Sequence, residues 1–334
     1  MANLLVLASL APMAHAATVV DFWIHCEFMT SGTFDPITNP GSTTTEYYND
    51  FFANTTTNPD STPASLHGAG LGATSCTTST DTAAYWAPTL TLGPGEVQNN
   101  HGVGGACVTD AAGIPACHYT NIRAYYGQGN ATGSQLTNIP FGEETVGGND
   151  EATGVQPIGV LSWACGGSTP FHTHPYNCTP YINLPQDQDG VVMRVIVPRC
   201  WNGAAATNGA NFSYPTNGGT GTNCPANFPK LLPLINLRFH TGIVNPCLGE
   251  MKGGKPVSCG INDPEVAPNF GFENANGTMK PWYQAYGDFM NGWQYAPQDN
   301  PGGLDDLVND CLITGSVACP PNPHTGPKSN DMPT

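Results

Sequence analysis

The sequence predicts an all-β or β-rich fold, namely one sandwich-like domain stapled by disulfide bonds, with long loops and little helix. Short β-branched and apolar runs alternate with turn-forming residues, and helical periodicity is nearly absent. The chain holds 12 cysteines, 40 glycines and 31 prolines in 334 residues. An even number of cysteines is typical of a disulfide framework in an exported protein.

The strongest strand signal is 190–198 (GVVMRVIVP), which is β-branched and flanked by turn residues. Tracts such as 202–223 are rich in Gly, Asn and Thr and favour loops. One short amphipathic helix is predicted over 303–312, where four apolar residues share a face. The predicted strands are 83–92, 122–126, 190–198 and 231–239.

The N-terminus predicts secretion. A short apolar stretch, 4–11, precedes Ala14-His15-Ala16, a small-x-small cleavage signal, although no Lys or Arg comes before the stretch. We therefore expect a signal peptide at 1–16, one secreted domain at 17–319 and a Pro-rich, flexible tail at 320–334. No apolar run reaches the roughly 18 residues of a membrane span, and we expect an extracellular or cell-surface protein.

Charge excludes one class of partner. The chain has nine Lys and Arg against 25 Asp and Glu, a net charge of −16, and phosphate neutralisation needs cations, so no nucleic-acid partner is expected. Cys-x-x-Cys pairs, which zinc sites favour, are absent. Sequence alone does not fix the disulfide pairing, but a nearest-neighbour hypothesis gives Cys26–Cys76, Cys107–Cys117, Cys165–Cys178, Cys200–Cys224, Cys247–Cys259 and Cys311–Cys319.

Two local patterns are weak metal candidates. His172 and His174 form an H-x-H, which on a strand would aim both rings at one face, but flanking prolines favour a polar loop. Asp187 and Asp189 resemble half of a calcium loop without the remaining ligands, so we expect no cofactor, with calcium as the open alternative. The adjacent acids Glu143-Glu144, Asp150-Glu151 and Asp305-Asp306 are expected to form a solvated surface.

A set of motifs in fixed order is more specific. The motifs are DPI-x-NPG (35–41), DFF-x-N (50–54), YW-x-P-x-L (85–90), CW-x-G (200–203) and GDF-x-NGW (287–293). Together they resemble a secreted family catalogued as domain of unknown function nineteen-ninety-six, and the resemblance runs from about residue 26 to 311. It implies an exported, β-rich, cysteine-containing domain, and no secure activity.

The same resemblance implies that this chain is a degenerate member. Positions where the family carries histidine read here as Tyr47, Asn49, Asn211, Phe228 and Tyr286. Neither Tyr nor Asn titrates near neutral pH or ligates zinc well. We predict that Tyr47, Asn49, Phe228 and Tyr286 lie close together in space.

Four acids within or near these motifs have two interpretations. Asp35, Asp50, Asp81 and Asp288 either cap turns beside Pro or Gly, or share a cleft as general acids and bases. Asp50 and Asp288 are the leading catalytic pair, which would have to lie roughly 5–9.5 Å apart.

Two function classes follow. The first is a non-catalytic extracellular protein that binds a cell-wall glycan or assembles with itself, since Asn, Thr, Gly and Tyr side chains form contacts at little desolvation cost. The alternative is a glycan-acting hydrolase of cell-wall polysaccharide that uses paired carboxylates.

Overall fold

The computed structural model describes residues 21–92, 107–109, 115–166, 170–180, 190–246, 251–252, 255–256, 270–273, 278–294, 304 and 308–316. These residues are mostly strand and loop. The α-helix α1 is Pro63–Gly68, and there are 3-10 turns at Gly133–Gln135, Gly209–Asn211 and Trp282–Gln284 and a π-helix at Val308–Ile313. The strands are β1 Asp21–Gly32, β2 Asn49–Ala53, β3 Ala84–Pro88, β4 Leu90–Leu92, β5 Cys107–Thr109, β6 Pro115–Cys117, β7 Asn121–Gly127, β8 Glu144–Gly148, β9 Leu161–Cys165, β10 Val191–Ile196, β11 Cys200–Trp201, β12 Phe212–Ser213, β13 Lys230–Leu231, β14 Leu234–His240, β15 Met251–Lys252, β16 Lys255–Pro256, β17 Phe270–Glu273, β18 Met279–Pro281 and β19 Tyr286–Met290.

A nine-stranded antiparallel sheet dominates the fold, in the order β8-β19-β3-β2-β1-β7-β14-β10-β9. Because side chains alternate across a strand, each strand sends every second residue to the inner face. That face carries the fully buried core, for example Phe52 of β2, Tyr126 of β7, Phe239 of β14 and Val195 of β10.

The sheet curls until β8, at one end, approaches β10, the last strand but one at the other end. Gly147 of β8 lies so close to β10 that a Cβ there would stand 2.7 Å from Cγ1 of Val195. The Tyr214 hydroxyl connects β8 to the end of β10. It donates to the carbonyl of Ile196 at 2.6 Å and accepts from the N–H of Gly148 at 3.0 Å. Glycine at 147 is therefore required by the close approach of two strands.

A five-stranded sheet, β18-β17-β4-β6-β5, packs beside the edge strand β9. The contact is aromatic: Trp163 of β9 meets Phe270 of β17 at 5.7 Å and Trp282 at 6.4 Å between ring centroids. Two small sheets, β12-β11-β13 and β15-β16, complete the described structure. The prediction of a β-rich, sandwich-like fold is confirmed, with curvature that approaches a barrel.

The predicted strands match the observed ones closely. The run 190–198 contains β10, 122–126 lies within β7, 231–239 overlaps β14, and 83–92 contains both β3 and β4. The predicted helix at 303–312 overlaps the π-helix Val308–Ile313, and Leu304, Val308 and Leu312 are buried. In the described part of the chain, no helix is long and apolar enough to cross a membrane.

Three of the predicted disulfides are present: Cys26–Cys76, Cys165–Cys178 and Cys200–Cys224. Cys117 and Cys311 are also disulfide-bonded, and the β5–β6 register places Cys107 opposite Cys117. No cysteine among the described residues is a free thiol. Cys247, Cys259 and Cys319 lie outside the described residues, as do the predicted signal peptide and tail.

Candidate functional site

The candidate site lies on the outer face of the sheet, where β2, β3, β19 and β8 run side by side. The register places Phe51, Trp86, Asp288 and Val146 in one row across these four strands, so their side chains share a face. The segment before β2 covers this face, and Phe34 stacks on Phe51 with ring centroids 4.2 Å apart.

Asp35 holds the covering segment in a turn. Its Oδ1 accepts the backbone N–H groups of Ile37 and Thr38, both at 2.9 Å. This is the Asx-turn that a carboxylate beside proline favours. Burial raises the pKa of Asp35, and these N–H groups partly offset the rise.

Three of the positions at which the family resemblance implies histidine meet here. The rings of Tyr47 and Tyr286 pack edge to face, 5.2 Å apart, and the Tyr286 hydroxyl donates to Oδ1 of Asn49 at 2.7 Å. The Tyr47 hydroxyl donates to the carbonyl of Asp150 at 3.0 Å, and the Asn49 amide donates to the carbonyl of Phe34 at 3.0 Å. Every hydrogen-bonding side chain of this group is thus held in place.

The two tyrosines form one wall of a pocket of about 230 Å³. Asp35 lies inside it, and the exposed side chains of Glu46 and Asp150 stand at its rim. Three of the eight polar lining residues are carboxylates, which accept hydrogen bonds and do not donate them. The full lining is Asp35, Thr38, Asn39, Thr45, Glu46, Tyr47, Val146, Asp150 and Tyr286.

Asp288 lies directly behind this lining. It follows Tyr286 by two residues on β19 and faces Val146 across the strand pair, so it points to the same side as both. Asp288 is fully buried and neither carboxylate oxygen has a hydrogen-bond partner in the protein. Burial, then Asp35 and Asp150, raise its pKa well above the usual range. The indole N–H of Trp86 offsets this slightly but does not reach hydrogen-bond geometry.

A single cation of the described residues reaches the rim. The Lys280 ammonium pairs with the Glu46 carboxylate and lies 5.7 Å from the centroid of the Tyr47 ring. The Glu46 carboxylate and the Tyr47 ring therefore bind the Lys280 ammonium at the edge of the pocket.

Neither pocket tyrosine is poised to move a proton at neutral pH. Burial raises the pKa of Tyr286 well above its ordinary value, and Asp35 and Asp288 raise it further. Burial likewise raises the pKa of Tyr47, helped by Asp150 and Glu46. Both phenols remain protonated hydrogen-bond donors.

The predicted catalytic pair is wrong, because Asp50 and Asp288 point to opposite faces of the sheet. In the register Asp50 pairs with Ala87, whereas Asp288 pairs with Trp86, the neighbouring residue of β3. Asp50 lies in the core, where its carboxylate accepts from Thr89 Oγ1 at 2.6 Å, His118 Nδ1 at 2.8 Å and the Tyr119 N–H at 3.0 Å. The carboxylate of Asp50 therefore joins strands and loops within the core and has no access to the pocket.

Two further acids are buried in the core. Asp81 accepts from the Tyr85 hydroxyl at 2.9 Å and from the Ala83 N–H at 3.2 Å, and burial raises its pKa to about 8. Glu143 is 0% exposed and its pKa is also raised to about 8 by burial. The expectation that Glu143 belongs to a solvated surface is wrong, because the chain runs inward just before β8.

The remaining predicted positions lie elsewhere. The Asn211 side chain bonds to Asn202 and Ala205 beside β12, and the Phe228 N–H donates to the carbonyl of Pro225. Neither has a contact with the tyrosine pair among the interactions of the described residues.

The two metal candidates gain no support. The rings of His172 and His174 are 6.5 Å apart between centroids, and His172 bridges to Trp163 at the end of a loop. Asp187 and Asp189 fall outside the described residues. Within the described part of the chain, the one group of three potential ligands is Cys26, Cys76 and Asp81, and its cysteines are joined in a disulfide.

Sequence reasoning did not identify the three charged residues at the rim of the pocket. Glu46 and Lys280 lie outside the motifs, and Asp150 was assigned to an acidic surface. They meet only because β18 and the segments before β2 and after β8 converge. The one sequence signal that could have indicated these residues was their position, because Glu46 directly precedes Tyr47 and Asp150 closely follows β8.

These features define a class: a disulfide-stapled β-rich domain with an acidic, tyrosine-walled pocket on the outer face of its main sheet. The family model for the domain of unknown function DUF1996 matches residues 35–293, so the chain belongs to that family. No curated protein and no solved structure matches the chain.

Proposed function

We propose that this protein is a secreted, extracellular binding protein whose pocket takes a sugar unit of a cell-wall glycan without catalysing a reaction. The observation that carries the proposal is the pocket itself, which is lined by the Tyr47 and Tyr286 rings and by the carboxyl oxygens of Asp35, Glu46 and Asp150. Aromatic faces stack on sugar rings and acceptors bind hydroxyl groups. At about 230 Å³ the pocket is smaller than the roughly 300–1,000 Å³ of sites for drug-sized ligands, so it suits a chain end or a single unit.

Secretion is supported by the disulfides and by the apolar N-terminal stretch before Ala14-His15-Ala16. The absence of catalysis is supported by the tyrosines, whose raised pKa values keep them protonated. Self-assembly, the other predicted binding role, has no comparable feature among the described residues, and we favour the glycan.

The binding role is tested with purified mature protein and a panel of soluble cell-wall oligosaccharides by calorimetry. Tyr47→Ala removes the wall and should weaken binding about tenfold or more, whereas Tyr47→Phe keeps the ring and should retain most of the affinity. Phe141→Ala, an exposed aromatic outside the pocket, is the control. No binding to any glycan, or equal loss in the control, would refute the proposal.

One observation favours a hydrolase as the second candidate. A buried carboxyl with a raised pKa, Asp288, lies beside two further acids, Asp35 and Asp150, and glycosidases use carboxyls whose pKa values are pushed apart. Incubation with the same polysaccharides, followed by detection of new reducing ends, separates the candidates. Products that form with the natural chain and vanish in Asp288→Asn would establish the hydrolase.

A further inference from the structure

The pocket is strongly biased toward ligands that donate hydrogen bonds and carry positive charge. Three carboxylates line it, and Lys280 is the one described cation at its rim. A neutral sugar would satisfy the acceptors with hydroxyl groups but would leave this charge unbalanced. An ammonium group offers three donors and a positive charge to the same oxygens.

Lys280 shows how such a group is held. Its ammonium contacts the Glu46 carboxylate and lies 5.7 Å from the Tyr47 ring, within the roughly 6 Å over which cation–π attraction acts. Lys280 comes from β18 and reaches the rim from outside. The part of the pocket between Asp35, Asp150 and Tyr286 offers the same combination of carboxylate and aromatic ring to a ligand.

Asp288 is an independent second observation. Its carboxyl is fully buried, has no hydrogen-bond partner, and lies behind Tyr286 and Val146. Burial, and then repulsion from Asp35 and Asp150, oppose its ionisation. A cation in the pocket would relieve that repulsion, whereas a neutral ligand would not.

We propose that the ligand of this pocket is an amino sugar with a free amine, presented by a partly or fully deacetylated polysaccharide. The inference rests on the proposed glycan-binding function and names its substrate class. The amine sits between the carboxylates of Asp35 and Asp150, and a ring face packs on Tyr286. Acetylation of the amine removes its charge and adds bulk, so an acetylated unit fits poorly in a pocket of about 230 Å³.

The test compares three oligosaccharides of equal length, made of glucosamine, N-acetylglucosamine or glucose, by calorimetry with the mature protein. The glucosamine oligomer should bind at least about tenfold more tightly than the other two, and the difference should shrink as salt is raised from about 50 to 500 mM. Equal binding of all three would overturn this inference and leave the proposed function standing. Binding of none would overturn both.

Variants that each remove one charge test which side chains attract the amine. Asp150→Asn and Glu46→Gln should each weaken binding of the glucosamine oligomer about two- to fivefold, with little change for glucose. Asp310→Asn, a half-exposed acid on the π-helix, controls for overall charge. Lys280→Met frees Glu46 and should tighten glucosamine binding. An equal effect of all three acid variants would show that net charge, and not the pocket, attracts the amine.

Discussion

Two parts of the nine-stranded sheet, here called its acidic and basic halves, differ in the ionisable residues that their strands contain. The strands β2, β3, β8 and β19 contain Asp50, Glu144 and Asp288 and no cation, and Asp81 and Glu143 lie next to them. The strands β7, β14 and β10 each contain one arginine and no acid. Three of the four arginines in the chain, Arg123, Arg238 and Arg194, form one row across these strands.

The halves deal with buried charge in different ways. In the acidic half, burial raises the pKa values of Asp81 and Glu143 to about 8 and that of Asp288 well above its usual range, so protonation removes the charge. Burial and Arg238 lower the pKa of Arg194 to about 9, which still leaves it charged at neutral pH.

Arg194 is stabilised by contacts instead. It donates to Ser162 Oγ at 2.6 Å and to the Ile158 carbonyl at 3.0 Å, and stacks 3.9 Å over the Phe171 ring. The basic half is thus covered and fixed, whereas the acidic half leaves an open pocket. This difference is why we place the ligand in the acidic half.

The largest effect should come from the basic half. Arg194→Ala should lower the free energy of unfolding by about 2–4 kcal/mol, because it removes two buried hydrogen bonds and the stack on Phe171. Urea unfolding measures this. Lys230→Ala, which removes an exposed cation 4.5 Å from the Trp201 ring, should cost under about 1 kcal/mol. Equal costs would show that the arginine row is not structural.

Next, replacement by asparagine should lower the free energy of unfolding much more at Asp50 than at Asp288. Asp50→Asn should cost about 1.5–3 kcal/mol, because an amide cannot accept all three donors of Thr89, His118 and Tyr119. Asp288→Asn should cost under about 0.5 kcal/mol at pH 7, because the carboxyl it replaces has no partner. Thermal unfolding of both variants decides the matter. A large loss in Asp288→Asn would mean that its carboxylate is charged and bound.

The smallest expected effect is a dependence of the free energy of unfolding on pH. Glu143 keeps a proton in the folded chain up to about pH 8, whereas the unfolded chain releases it near 4.5. The stability contribution is therefore complete below pH 4.5 and is lost as pH rises through about 8. Glu143→Gln should raise the free energy of unfolding by about 1–2 kcal/mol at pH 8 and change little at pH 4.5. Asp60→Asn, an exposed acid, should show no such trend.

The sequence alone determined much of the arrangement of strands and disulfides. The strands at 122–126, 190–198 and 231–239 follow from β-branched runs between turn residues, a local preference that burial then reinforces. Cys165–Cys178 and Cys200–Cys224 follow from short loops, in which near neighbours meet most often. The motif order identified the family, and the model match over residues 35–293 confirms it.

Only the tertiary structure decided the site. Phe51 and Phe52 are both buried, so no alternation of polar and apolar residues reveals that Asp50 faces inward, and Asp288 acquires its face from pairing with β3, some 200 residues earlier. Glu46 and Asp150 meet through the long-range pairing of β2, β3, β19 and β8, and Lys280 of β18 joins them through its contact with Glu46. Protonation of Asp81 and Glu143 likewise depends on burial, a property of the packed chain that no local pattern carries.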